Sequence, residues 1–157
     1  MRILAILLLS TITLAEYKIV TIDINRILNE SKDAKAKRAE IDKKSAAATA
    51  ALEKDRRSLM ELEKKAKESK SEADIKAFRE KQRSVSKFIQ ETENSIQSQI
   101  AAFNEQLTKK AMKEIEAYAK SEDIDLVLYK GEQPRGPVLY GEADGDITDI
   151  IMSRLDK

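Results

Sequence analysis

The chain has 157 residues with 29 Lys and Arg against 28 Asp and Glu, a formal net charge of +1, and 36% charged but only 4% aromatic residues. So polar a composition excludes a thick globular core and suits long exposed helices. It contains no cysteine and no histidine. Disulfides, thiolate nucleophiles, sulfur-ligated metals and the usual general base and metal ligand are therefore removed together.

Residues 1–15 read as an export signal. Met1 and Arg2 give a positive start, Ile3 to Leu9 an apolar run, and Ser10 to Ala15 a small-residue end with Thr13 and Ala15 at the peptidase-read positions. The apolar run is shorter than the roughly 20 residues that span a bilayer. The mature chain is expected to begin near Glu16, outside the cytoplasm.

Tyr17 to Asp23 (YKIVTID) alternates with β-branched residues and predicts a strand, after which Asp23 or Asn25 can cap a helix. In that helix Ile27, Ala34, Ile41 and Ala48 recur every seven residues, and after a four-residue step Leu52, Leu59 and Ala66 resume the spacing. This is a heptad seam with one stutter, thin where Ala46, Ala47, Ala48, Ala50 and Ala51 cluster. The stripe lapses at Ser69 to Asp74 (SKSEAD), where an S-x-x-[DE] helix start marks a reversal. A second stripe then runs Phe78, Val85, Ile89, Thr92, Ile96, Ile100, Phe103, Leu107, Ala111, Ile115, Tyr118. The two halves predict an antiparallel helical hairpin over residues 31–120. An arm of 35 to 40 residues projects roughly 50 to 60 Å.

All four glycines and both prolines lie between Gly131 and Gly145. They supply turns after a strand at Ile124 to Tyr129 (IDLVLY), with a short further strand at Val138 to Tyr140. Asp146 and Asp149, with Ile147, Ile150, Ile151 and Leu155, predict a capped terminal helix. The fold class is thus α+β, mostly α, with the arm projecting from a small β-rich body of residues 16–30 and 121–157. A body that small rarely supplies enough core alone, so strand pairing between subunits is expected. Ile19, Ile22, Ile124, Leu126 and Leu128 are the residues expected to join them.

Charge follows the same division. Residues 31–120 carry 22 positive and 16 negative side chains, the body 6 and 12. Such an arm can attract acidic polypeptides or anionic lipid surfaces. Nucleic acid is not expected, because no basic cluster is interleaved with aromatics. Acidic pairs such as Glu61 with Glu63, or Glu91 with Glu93, stand two apart on a helix and point to different faces. They read as solvated charge, so no enzyme, cofactor or metal site is expected.

The order of strand with "IVTIDINRILNES", breaker-free hairpin, "EDIDLVL", turn patch and terminal "DITDIIMSRL" resembles the Skp/OmpH family of periplasmic chaperones. The resemblance implies a homotrimer with a β-rich body and three helical hairpins around a cavity. It further implies ATP-independent holding of unfolded outer-membrane proteins. Phe78, Phe88, Ile89 and Ile96 are the arm residues expected to face such clients, the alternative being that they pack only within their own hairpin; Phe88, beside the seam position Ile89, is the leading exception to that alternative. The alternative is a secreted coiled-coil structural or adhesion protein, with the arm a rigid spacer.

Overall fold

A computed structural model describes residues 17–131 and 136–157; the expected export signal lies outside the described residues. Strand β1 (Ile19–Ile22) is followed by a short helix α1 (Ile24–Glu30), two long helices α2 (Lys32–Ser69) and α3 (Glu72–Ser121), strand β2 (Leu126–Tyr129) and a terminal helix α4 (Thr148–Leu155). β1 and β2 pair in parallel, Ile19 opposite Leu126 and Ile22 opposite Tyr129. Parallel neighbours require a crossover connection. Here the whole hairpin is that crossover.

Asp23 caps α1, its Oδ1 accepting from the Arg26 amide at 3.0 Å. The heptad that starts at Ile27 does not run through one helix, because the chain breaks at Ser31. Its backbone is extended there, its Oγ accepts from the Ala34 amide at 3.3 Å, and the residue is buried. A serine hydroxyl offers a helix amide a better partner at an N-cap than in a helix interior, which explains the break. Lys32 N–H then donates to Asp156 Oδ1 at 3.1 Å, tying the root of α2 to the C-terminus.

The hairpin is antiparallel: Asp33 meets Lys110, Asp55 meets Lys81 and Lys65 meets Asp74. At 1.5 Å per residue the 38 residues of α2 extend about 57 Å. The chain reverses at Lys70, which adopts a left-handed conformation with φ of 50° and donates its N–H to the Ala66 carbonyl. Ser71 occupies the N-cap of α3 without a side-chain cap bond and Ser69 ends α2, so the S-x-x-[DE] pattern, Ser69 with Glu72 or Ser71 with Asp74, forms no capping box. Asp74 is engaged instead by Ser69 Oγ at 2.6 Å and Lys65 Nζ at 3.0 Å.

The buried core joins Val20 and Ile22 of β1, Ile27 of α1, Ala34 of α2, Leu107, Ala111 and Ile115 of α3, and Ile147 and Ile151 around α4. Three of these come from the last turns of α3, which sequence reasoning assigns to the arm. The core is therefore larger than the strands and terminal helix alone provide. Arg154 reinforces the α3–α4 contact, donating to Glu114 at 3.1 Å with its guanidinium 5.5 Å from the Tyr118 ring centre.

No strand forms at Val138 to Tyr140: Val138 is buried, but Leu139 and Tyr140 are exposed loop residues. Gly131 and Gly136 stand back to back. Gly131 has φ of 69°, and a Cβ on it would lie 2.6 Å from Gly136 Cα. Only glycine fits both demands. At the other end of this segment Asp146 takes the capping role one residue outside α4, accepting from Thr148 N–H at 2.9 Å and from the Thr148 hydroxyl. It also accepts from Lys130 Nζ at 2.8 Å.

Candidate client and assembly surfaces

The arm is long and thinly packed. From Lys35 to Gln106 no residue is buried, and the seam residues are only half-buried. On α2 the half-buried apolar residues include Ile41, Ala48, Leu52, Leu59 and Ala66, the stuttered heptad read from sequence, with Leu62 beside them. Ala46, Ala47, Ala50 and Ala51 are exposed, so within the alanine block Ala48 alone narrows the seam. Ion pairs and hydrogen bonds cross it at intervals, Lys81 to Asp55 at 2.6 Å and Lys44 to Gln99.

On α3 the seam departs from the expected stripe. Phe88 and Gln99 are half-buried, whereas Ile89 and Ile100 are 37% and 41% exposed. A helix turns 100° per residue, so a stripe carried on spacings of three and four can slip by one residue where two neighbours are both apolar, as at Phe88 with Ile89; Gln99 is instead tied across the hairpin by Lys44. Of Phe88 and Ile89, Phe88 is the more covered, while Ile89 keeps 37% of its surface open. Phe78 and Ile96 are half-buried along the same seam. Of the four expected client residues, the structure brings three to the seam and leaves Ile89 open.

Electrostatics hold the arm locally. Hydrogen bonds from Lys37 and then Lys44 pull the Glu40 carboxyl down to about 2. Ser69 and Lys65 hold Asp74 below the usual carboxylate range, and Lys120 does the same for Glu116. In the distal stretch from Lys54 to Lys87, Lys54, Arg56, Arg57, Lys70, Arg79 and Arg83 make no ion pair with any described residue. Residues 54–87 carry 12 positive and 7 negative side chains, so most of the arm's positive excess lies away from the body.

The body presents an apolar surface of its own. Ile19, Leu126 and Leu128 are 52%, 46% and 38% exposed, and Tyr17, Leu139 and Tyr140 are more open still. The five expected joining residues divide here. Ile22 is buried in the chain's own core and Ile124 packs against it, leaving Ile19, Leu126 and Leu128 on the outer face. Leu139 and Tyr140, expected in a strand, are exposed apolar residues of the body as well, and their adjacency after Pro137 in a turn segment was the available signal. Among the described residues no group of three His, Cys, Asp or Glu side chains is arranged to hold a metal, and no helix is long and apolar enough to cross a membrane.

Fold and surfaces together define a hairpin-armed protein with a small mixed body, its polar arm carrying a half-covered apolar stripe. The family model for OmpH-like outer membrane proteins matches residues 18–155, and the chain belongs to that family. In fold it is similar to the crystal structure, at 2.83 Å resolution, of an OmpH-like protein from Caulobacter crescentus proposed to be an outer membrane chaperone. The TM-score is 0.65 with 15% identity, over 90% of this chain and 85% of that one. No curated protein sequence matches the chain.

Proposed function

We propose that this protein is an ATP-independent holdase chaperone of the periplasm, which keeps unfolded outer-membrane proteins soluble before their insertion. The observation that carries this reading is the arm: an apolar stripe some 50 Å long or more that nowhere becomes buried between Lys35 and Gln106. A stripe so thinly covered is free to exchange its own contacts for those of a client, and a holdase must bind many sequences without trapping one. Membership of the OmpH-like family supports the chaperone role. Export follows from the signal read at residues 1–15, with cleavage near Glu16.

The working form is a homotrimer joined through Ile19, Leu126 and Leu128, with three arms bounding a cavity. Burial of that face removes from water an apolar surface that a monomer leaves exposed. The unpaired distal cations favour acidic clients and permit contact with anionic lipid surfaces. The test is the solution mass with and without a urea-denatured β-barrel protein. The expected result is a trimer that gains one client and prevents its aggregation. An elongated particle with no affinity for unfolded chains would identify a spacer instead.

A further inference from the structure

At the root of the arm, α1, α2 and α3 enclose an open cleft of about 380 Å³. This lies within the range of ligand-binding clefts. Its floor is apolar: Leu28, Ile41, Ile100 and Phe103. Ile100, 41% exposed, offers its open side to this floor.

The rim is polar and nearly neutral. Lys37 is paired with Glu40 at 2.8 Å, while Arg38 and Asp42, one turn apart, make no ion pair with any described residue. Asn25 Nδ2 donates to the Tyr129 hydroxyl at 2.9 Å and Asn29 Nδ2 donates to the Asn25 carbonyl at 2.7 Å. One N–H of each side-chain amide is thus engaged, and both side-chain carbonyl oxygens are left to act as acceptors. An anionic headgroup or a nucleic acid would meet Asp42 and gain a single free cation. An uncharged peptide backbone matches the rim, its N–H groups facing amide oxygens, and a large apolar side chain matches the floor.

We infer that this cleft is a polypeptide subsite, taking one large apolar side chain of an extended, uncharged segment, with Asn25 and Asn29 accepting from its backbone. It rests on the holdase reading only in that the occupant is an unfolded chain. Unlike the distal cations, it acts by burial and hydrogen bonding to neutral groups, and its affinity is insensitive to ionic strength.

The probe is a short acetylated and amidated peptide of Ala, Ser and Gly around one benzoylphenylalanine, presented to the full chain. Photocrosslinking should mark Asn25 to Asn29 and Ile100 to Asn104. Affinity by fluorescence anisotropy should stay constant as salt is raised. Ile100→Glu should weaken it on the order of tenfold or more, because a carboxylate would be placed against the apolar floor, with helical circular dichroism unchanged. Crosslinks confined to other positions, or a steep loss of affinity with salt, would overturn the assignment on the wild-type chain alone, whatever the variant does. Failure of the holdase reading is separate: wild-type protein would then not keep a denatured β-barrel protein soluble, even where the peptide marks the cleft.

Discussion

The carboxylate of Asp146 is the knot that closes the body, and its removal should be measurable. Its side chain is 17% exposed and accepts from Lys130 Nζ at 2.8 Å, from Thr148 N–H at 2.9 Å and from the Thr148 hydroxyl. Thr148 is fully buried, and its Oγ in turn accepts from Asp23 N–H at 2.9 Å, so the knot reaches β1 and the start of α1. Asp146→Ala loses a helix cap, typically about 1 kcal/mol, and leaves a half-buried ammonium without its partner. Hydrogen bonds to charged groups contribute about 1.5 to 3 kcal/mol, and Lys130, 30% exposed, recovers part of this through water. The expected net loss is roughly 2 to 3 kcal/mol, or about 4 to 12 °C in Tm for a chain of this size. Burial raises the pKa of this carboxyl, but Lys130 and the two Thr148 hydrogen bonds outweigh it and hold it below its ordinary value of 3.8. A carboxylate held low in the folded state stabilises above its unfolded pKa, and that stability is lost as pH falls through the folded value. Thermal unfolding of wild type, Asp146→Ala and Asp146→Asn at fixed protein concentration, at neutral pH and below pH 3.8, provides the assay. The charge-dependent gap between wild type and Asp146→Asn should narrow on acidification. A gap under about 0.5 kcal/mol at neutral pH, within the scatter of surface substitutions, would show that the knot is not a stabilising element.

Lys70→Gly should stabilise the arm tip by about 0.5 to 1 kcal/mol, because glycine adopts the left-handed conformation at φ of 50° without a Cβ penalty; a lower Tm would contradict this. Leu126→Glu with Leu128→Glu should reduce the solution mass while helical circular dichroism persists, since both side chains are exposed within the chain; an unchanged mass would remove the outer sheet face from the assembly surface. Ile89→Glu should weaken holding of a denatured β-barrel protein without altering the oligomer, its side chain being 37% exposed. Phe88→Ala should instead lower arm stability by about 1 to 2 kcal/mol, less than a fully buried phenylalanine because the seam only half covers it. The reverse ranking in the two assays would restore Phe88 to the client face.

Much of the fold is legible because it is local. The absence of glycine and proline before Gly131 permits long helices, and the helices follow. The stuttered heptad from Ala34 to Ala66 appears as the half-buried edge of α2 because its apolar residues have few apolar neighbours to compete with. The lapse at Ser69 to Asp74 is likewise a local signal, and α2 ends within it. Where two adjacent apolar residues compete, as at Phe88 with Ile89, periodicity does not choose between them. Burial in the folded chain does, and it leaves Phe88 the more covered of the two.

What the chain settles by itself is therefore the mostly helical α+β class, the hairpin, the two apolar segments that become strands, and a family resemblance carried by motifs at both borders of the body. Tertiary structure decides what depends on partners distant in sequence. Ser31 breaks α1 from α2, the strands run parallel across the arm, and Leu107, Ala111 and Ile115 sink into the body core. It also opens the apolar cleft beneath Ile100. Backbone preference acts within a few residues, whereas burial depends on what another part of the chain brings against a side chain.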